Sequence, residues 1–295
     1  MIAFGSSITK PDVYARCART AIEQAAEPAS EVIAAEAVGS ISRSYNQLLD
    51  RAAGLEGLEA LVLVHQDTEI VDADFCAKVR AALGDPDVAV VGCVGAVGVR
   101  SIAWWEGSVT LSNFANRYEE HGGGDMAAFS WDWEEAPPYA HVGEVETVDG
   151  FLMALSPWAV ENVRFDEELS AFHGYDLDYC LQVREAGRKV VTADFRAIHH
   201  RPLEMIPEPE PWIEAHMAVA EKWDGRMPGV GDDVGDWRER ALRAAAEGDL
   251  AKAISHSSRL ELSARIQQLQ RDLDEARGSS SWRVTAPLRR LGLLK

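Results

Sequence analysis

The most constraining feature of the sequence is an aliphatic run that ends at a group of polar side chains. Residues 61–64 are all aliphatic, and three polar residues ending in Asp67 follow them directly. Such a run is typical of a strand buried on both faces of a parallel sheet. Because ligands bind outside the carboxyl ends of strands in open α/β sheets, Asp67 is a candidate for holding a metal ion or a phosphate-bearing cofactor. The alternative is that Asp67 begins the next helix, although Asp72 and Asp74 are better placed as its N-cap.

The amino-terminal part of the chain alternates between strand and helix patterns. The sequence predicts strands over 2–5, 31–35 and 61–64, and helices over 11–26 and 44–54. This alternation, with short connections, indicates an α/β fold in which helices flank a mostly parallel sheet. The first strand is followed by neither a Gly-x-Gly-x-x-Gly fingerprint nor a P-loop, which excludes the two common phosphate cradles.

Further elements of the same kind follow, around an aromatic insert. Residues 101–141 form an irregular segment in which Trp104 and Trp105 offer faces that stack on sugar rings or fill a small satellite core. Asp176 lies at the amino end of a helix that stops at Gly187, where an N-cap is the plain structural interpretation. The predicted elements are helices over 75–83, 158–163 and 172–187 and strands over 88–94, 144–156 and 189–192.

Charge and cysteine content narrow the classes of partner. A formal charge of −19 argues against general affinity for nucleic acid, although one metal ion and a few N–H groups can still neutralise the diphosphate of a nucleotide-sugar. The 4 cysteines contain no CxxC pair, which argues against a zinc knuckle or a disulfide scaffold. The chain shows no signal-peptide pattern and no segment as long as a membrane span. We therefore expect a cytoplasmic protein.

The carboxyl-terminal part differs in pattern from the rest. We expect a sheet domain over 1–225, a linker over 226–235, a helical hairpin or short coiled coil over 236–277 that divides at Gly248, and a basic tail over 278–295. The tail carries basic residues and no acids, so it is expected either to contact an anionic membrane surface or partner, or to be a disordered solubilising segment. A seam with coiled-coil spacing favours self-association through 262–276, or packing on the same chain; it comprises Leu262, Ile266, Leu269, Leu273 and Ala276.

Five motifs in order resemble family 2 glycosyltransferases of the GT-A fold, in particular the branch with a His-Gln-Asp metal motif. The resemblance covers residues 2 to about 205 and implies a Rossmann-like GT-A domain with a C-terminal helical extension. It also implies inverting sugar transfer to an acceptor hydroxyl in polysaccharide or glycoconjugate assembly. The motifs are Ser44-Tyr45-Asn46, Val64-His65-Gln66-Asp67, Val148-Asp149-Gly150-Phe151, Arg164-Phe165-Asp166-Glu167 and His173-Gly174-Tyr175-Asp176-Leu177-Asp178.

The resemblance also implies roles for individual residues. Asp67 would bind the divalent ion, Mn²⁺ or Mg²⁺, with His199 or His200 as a further ligand, and Asp176 would be the general base. His65 and Gln66 stand where the family carries its first acids, which predicts weaker metal binding. Residues implied in donor binding, with a UDP-sugar as the first candidate, are Ala3, Phe4, Gly5, Ser6, Glu36, Asn46 and Gln66. Residues expected at the acceptor are Trp104, Trp105, Asp149 and His173.

Two other functions remain open from the sequence. A nucleotidyltransferase can share the sheet and the metal site, but it normally carries a Gly-rich loop with Lys or Arg after the first strand. An inactive GT-A domain could instead serve as a glycan-binding or scaffold module, and the altered metal motif keeps this alternative open. Asp178, two residues after Asp176, would face elsewhere on the helix and support structure instead of catalysis.

Overall fold

The computed structural model describes residues 1–105, 109–112, 114–117, 125–127, 143–169, 172–200, 206, 209–228, 237–280, 282 and 284–285. Contacts divide the chain into two units, Met1–Asp232 and Asp233–Lys295. The domain boundaries expected from the sequence stay predictions. Much of the aromatic insert, most of the linker, and residues 286–295 of the tail lie outside the described residues.

The first unit is built on a mostly parallel sheet of seven strands. Its strands are β1 (Ile2–Ile8), β2 (Glu31–Glu36), β3 (Ala60–Val64), β5 (Val88–Gly92), β10 (Gly143–Val145), β12 (Leu152–Leu155) and β13 (Lys189–Thr192). They lie in the order β10-β13-β5-β12-β3-β1-β2, with β10 and β12 antiparallel to their neighbours. The expected α/β fold with a mostly parallel sheet is therefore confirmed.

Two small sheets lie beside the large one. The first contains β6 (Val94–Val97), β7 (Val109–Ser112) and β11 (Thr147–Val148). The second contains β4 (Thr68–Ile70), β8 (Phe114–Arg117), β9 (Asp125–Ala127) and β14 (Ala197–His200). The expected single strand over 144–156 is wrong, because Asp149 and Gly150 form a turn between β11 and β12.

Helices cover the large sheet. They are α1 (Pro11–Tyr14), a π-helical turn (Ala15–Arg19), α2 (Thr20–Ala25), α3 (Ile41–Ala53), α4 (Phe75–Ala82), α5 (Pro157–Asn162), α6 (Tyr175–Glu185) and α7 (Pro209–Lys222). Helix α3 begins earlier than the sequence predicted because the Ser40 hydroxyl accepts a hydrogen bond from the Arg43 N–H and caps it.

The core occupies both faces of the sheet, and β3 lies at its centre. Leu61 and Leu63 pack into one hydrophobic cluster, whereas Val62 and Val64 pack into the other. All four side chains are fully buried. Strand side chains alternate between faces, so a strand with a cluster on each side needs the uninterrupted aliphatic run seen here.

The second unit contains one long helix, α8 (Trp237–Gly278), of 42 residues. The helix runs through Gly248, so the expected hairpin is wrong. A single glycine weakens a helix by about 1 kcal/mol relative to alanine but does not end one that helix-forming residues surround. Among the described residues, no helix is both long and apolar enough to cross a membrane.

Candidate active site

Three ligand-type side chains meet where β3 ends. His65 follows β3, Asp67 lies in the turn to β4, and His199 lies on β14. One ligand atom from each lies within 4.8 Å of those of the other two, and His199 Nε2 is 3.6 Å from Asp67 Oδ1. Two imidazoles and a carboxylate form a ligand set that suits divalent transition metals.

Strand pairing brings these three residues together. Strand β14 runs antiparallel to β4, and the His200 N–H donates to the Asp67 carbonyl at 2.9 Å. On the other side, the His65 N–H donates to the Phe151 carbonyl at 2.9 Å. The Phe151 ring stacks on His199 with centroids 4.5 Å apart. Residues far apart in sequence are thus fixed on one rigid edge.

The electrostatics of this cluster favour a cation. Burial alone would raise the pKa of Asp67, but its interactions with His199 and His65 lower it to about 2, so the carboxylate is ionised at neutral pH. Burial lowers the pKa of His65, which keeps its imidazole neutral and able to ligate. Nδ1 of His199 is buried and has no hydrogen-bond partner among the described residues. The residues present therefore fit a divalent ion.

His200 does not join this cluster. Its Nε2 lies 2.5 Å from Glu69 Oε1, in a group that also contains Cys17. Arg117 donates to the same Glu69 oxygen at 3.2 Å and supplies the positive charge that a cation would bring. Neighbouring strand residues point to opposite faces, so His199 and His200 cannot serve one site. His200 therefore belongs to a different group from His199, and its role as an alternative ligand stays a prediction.

Asp176 lies in the first turn of α6 but does not cap it. The N-cap is Gly174, with a φ of 77° that suits glycine. The Asp176 carboxylate accepts from the Gly150 N–H at 3.0 Å and from the Leu177 N–H at 2.9 Å. Burial, followed by the negative charge of Asp149, raises the pKa of Asp176 to about 7. The group can therefore exchange a proton at neutral pH.

Tyr175 contacts both His65, a member of the metal-ligand cluster formed by His65, Asp67 and His199, and Gly150, whose N–H donates to the Asp176 carboxylate. Its hydroxyl lies 2.7 Å from His65 Nε2, so one ring nitrogen of His65 has a partner that orients the ring. The same hydroxyl packs on Gly150, where an added Cβ would lie 2.0 Å from it. Gly150 is thus required by the close approach of Tyr175. Tyr175 was not singled out from the sequence, because nothing local reveals this contact.

The expected donor-binding residues on β1 are buried within the large sheet. Ala3 and Phe4 are fully buried, and Ser6 is 1% exposed, with its hydroxyl donating to the Val64 carbonyl at 2.9 Å. Gly5 pairs with strands on both sides. Strand β1 lies between β3 and β2 and continues to Ile8, and the contact of these four residues with a donor stays a prediction. Only the carboxyl end of β1, with the exposed Glu36 at the end of β2 beside it, opens to solvent.

Asn46 and Gln66, also expected at the donor, make structural hydrogen bonds. The Asn46 amide accepts from the Phe165 N–H at 3.0 Å and donates to the Phe165 carbonyl at 2.9 Å. Gln66 Oε1 accepts from the N–H groups of Thr9 and Lys10 at 2.9 and 2.7 Å. Asn46 therefore holds α3 to the segment before α6, and Gln66 fixes the loop after β1.

The expected acceptor residues differ in how deeply they are buried. Trp104 is 3% exposed within the core, so its ring cannot stack on a sugar; Trp105 is partly buried against that core. Asp149 and His173 are partly buried. Phe172, which was not among the expected acceptor residues, is 51% exposed and has its ring centroid 6.1 Å from that of His65.

Asp178 is structural, as expected. It is fully buried, and its carboxylate accepts from Trp223 Nε1 at 2.8 Å and from Gln182 Nε2 at 2.7 Å. Lys222 Nζ lies 2.7 Å from the same carboxylate and balances its charge. The contacts of Asp178 with Lys222 and Trp223 attach the end of α7 to α6.

The mostly parallel sheet of seven strands, flanked by helices, is the architecture of a GT-A-type protein. The crystal structure of GalNAc-T7 with UDP, GalNAc and Mn²⁺ shares this fold, with a TM-score of 0.52, 12% sequence identity, and an alignment covering 77% of this chain and 48% of that one. The model of the glycosyltransferase-like family matches residues 3–217, so the chain belongs to this family.

A curated relative shares much of the sheet domain. The streptomycin biosynthesis protein StrF of Streptomyces griseus is 27% identical over 202 residues. The match covers 68% of this chain and 66% of the relative.

Proposed function

We propose that the chain is an inverting glycosyltransferase that moves a sugar from a nucleotide-diphosphate donor to an acceptor hydroxyl. A UDP-sugar is the first candidate for the donor. The observation that carries the proposal is the Asp176 carboxyl, whose raised pKa suits a base and which Tyr175 connects to the metal-ligand cluster. Family membership and the UDP and Mn²⁺ of the GalNAc-T7 structure support the same donor class.

His65, Asp67 and His199 would hold the divalent ion. Such an ion offsets the negative charge that develops on the departing diphosphate. Because two of the three ligands are imidazoles, Mn²⁺ suits the cluster better than Mg²⁺, which prefers oxygen ligands throughout. A single carboxylate also leaves the ion with more residual positive charge for the diphosphate.

Asp176 would act on the acceptor side. Its ionised carboxylate takes the proton of the acceptor hydroxyl while that oxygen forms a bond to the anomeric carbon. The bond between that carbon and the diphosphate oxygen breaks on the opposite face, which inverts the configuration. The backbone N–H groups of Gly150 and Leu177 hold the carboxylate in place.

The exposed ring of Phe172 would position the acceptor. It lies between His65 and His173, with a ring centroid 5.3 Å from that of His173. Exposed aromatic faces bind the apolar face of a sugar ring. A carbohydrate acceptor fits this surface, in polysaccharide or glycoconjugate assembly or, by analogy with the streptomycin biosynthesis protein StrF, in small-molecule biosynthesis.

The two alternative functions have less support. Strand β1 leads directly into a loop whose Thr9 and Lys10 N–H groups bind Gln66, which is unlike the phosphate-binding loop of a nucleotidyltransferase. An inactive scaffold has no need of a buried carboxyl with a pKa near 7.

The two adjacent histidines provide a matched test of the donor site. A thermal-shift panel of nucleotide-sugars, with and without Mn²⁺, identifies the donor, since a ligand at 100 times its Kd stabilises by about 2.7 kcal/mol. His199→Gln should abolish the Mn²⁺-dependent part of that shift, whereas His200→Gln should keep it. Equal losses in the two variants, or no Mn²⁺ dependence in the unmodified chain, would contradict the assigned metal site.

A further inference from the structure

Helix α8 carries an exposed apolar seam that the proposed activity does not use. Leu262, Ile266, Leu269 and Leu273 are between 46% and 63% exposed. Every side chain described from Gly248 to Gly278 is exposed. Most of the stability of a helix in a protein comes from packing of its apolar face, so a seam of this kind requires a partner.

The spacing of the seam identifies the kind of partner. The intervals between the apolar residues alternate between four and three, which is the heptad pattern of a coiled coil. In that pattern Ile266 and Leu273 occupy a positions, and Leu262, Leu269 and Ala276 occupy d positions. Ile266 at a with Leu269 at d is the combination that favours two strands in parallel coiled coils.

We propose that α8 pairs in parallel and in register with α8 of a second copy of this chain. The seam is self-complementary, because equivalent residues of two identical helices meet along a two-fold axis. Charges beside it fit the same arrangement. Asp272 occupies a g position and Arg277 the following e position, which a parallel pair places opposite each other on both sides of the axis.

The length of the seam limits the strength of the dimer. Toward the amino end, the preceding d and a positions are the polar Ser255 and Arg259. The apolar contact therefore covers only about two heptads. The dimer forms reversibly and its fraction rises with protein concentration. This inference does not depend on the reaction catalysed by the first unit.

Sedimentation velocity of the full chain over a range of concentrations tests the dimer. Leu269→Glu places a charge in the seam of both copies and should weaken the dimer at least about tenfold. Leu260→Glu is the matched control, since Leu260 is 58% exposed on the same helix but lies outside the seam. It should change the dimer Kd by less than about twofold. A monomer at all concentrations, or equal effects of the two substitutions, would overturn the proposal.

A charge exchange tests the parallel register. Asp272→Arg or Arg277→Asp alone should weaken the dimer about two- to tenfold, because each places like charges opposite each other twice. The two substitutions together should restore the original dimer Kd. Asp272 and Arg277 are five residues apart and are not neighbours within one helix, so rescue reports a contact between copies. Absence of rescue would overturn the parallel arrangement.

Discussion

Asp67 and Asp176 are both partly buried carboxyl groups of the candidate site, yet their surroundings give them opposite properties. Beside Asp67, two imidazoles offset the effect of burial and lower the pKa of the carboxyl to about 2. Beside Asp176, burial is reinforced by the negative charge of Asp149, and the pKa rises to about 7. Neighbouring groups can therefore make one carboxyl a stable anion that suits a cation, and another a group that exchanges a proton near neutral pH.

The largest expected effect comes from Asp176→Asn. The amide cannot accept a proton, so transfer should fall by roughly 10²–10⁴-fold, with donor affinity nearly unchanged. Turnover of a matched donor and acceptor measures this. A variant with full activity would remove Asp176 from the role of base.

The same variant has an opposite effect on stability. Asn resembles a protonated carboxyl, so it should match the unmodified chain near pH 3 and be more stable at pH 8, by about 2–4 kcal/mol. The reason is that a raised pKa makes the folded state bind the proton more tightly than the unfolded state, so the stability of the unmodified chain falls from about pH 4 to 7. Melting temperatures at the two pH values check the sign.

Asp67→Ala should weaken donor binding and leave proton transfer by Asp176 unaffected. Loss of the only carboxylate ligand should weaken Mn²⁺-dependent nucleotide binding by at least about 100-fold, beyond the 10–100-fold that outer partners contribute. Calorimetry with UDP and Mn²⁺ measures the change, and circular dichroism confirms the fold. Unchanged binding would show that the cation is held elsewhere.

Tyr175→Phe tests whether the Tyr175 hydroxyl positions His65 for metal binding. It removes the hydroxyl beside His65 Nε2 and keeps the ring, so Mn²⁺ affinity should fall about tenfold through loss of ring orientation. Tyr179→Phe is a control, because the Tyr179 hydroxyl donates to the Ala159 carbonyl and not to His65. If both variants bind Mn²⁺ equally well, Tyr175 does not position the ligand.

Asp149→Asn should produce the smallest change. Without the nearby negative charge, the pKa of Asp176 should fall, but burial keeps it above the ordinary value. The acid limb of the pH–rate profile should move to lower pH by up to about one unit. An unmoved limb would mean that Asp149 does not influence the base.

The central part of the fold could be predicted from the sequence. Residues 61–64 form a buried strand because a strand covered on both faces needs an unbroken aliphatic run, and periodicity records that directly. The same reasoning predicted Asp67 at the edge of the sheet. It was wrong for Gly248, because one glycine in a helical context was taken as a break.

Tertiary structure alone decided which of the expected residues share the site. The sequence could not distinguish His199 from His200, because only the pairing of β14 with β4 determines which one faces Asp67. It could not show that His65 lies beside Asp67 and His199 whereas Gln66 binds the loop after β1, although imidazole is a common metal ligand and gave a usable signal. The burial of Ala3, Phe4 and Trp104 could not be predicted, because it depends on neighbours distant in the chain. The sequence by itself determined the sheet and the residue types at its edge. The pairing of distant segments determined which way the side chains at that edge point and which groups lie beside them. Those neighbours set the pKa values of Asp67 and Asp176.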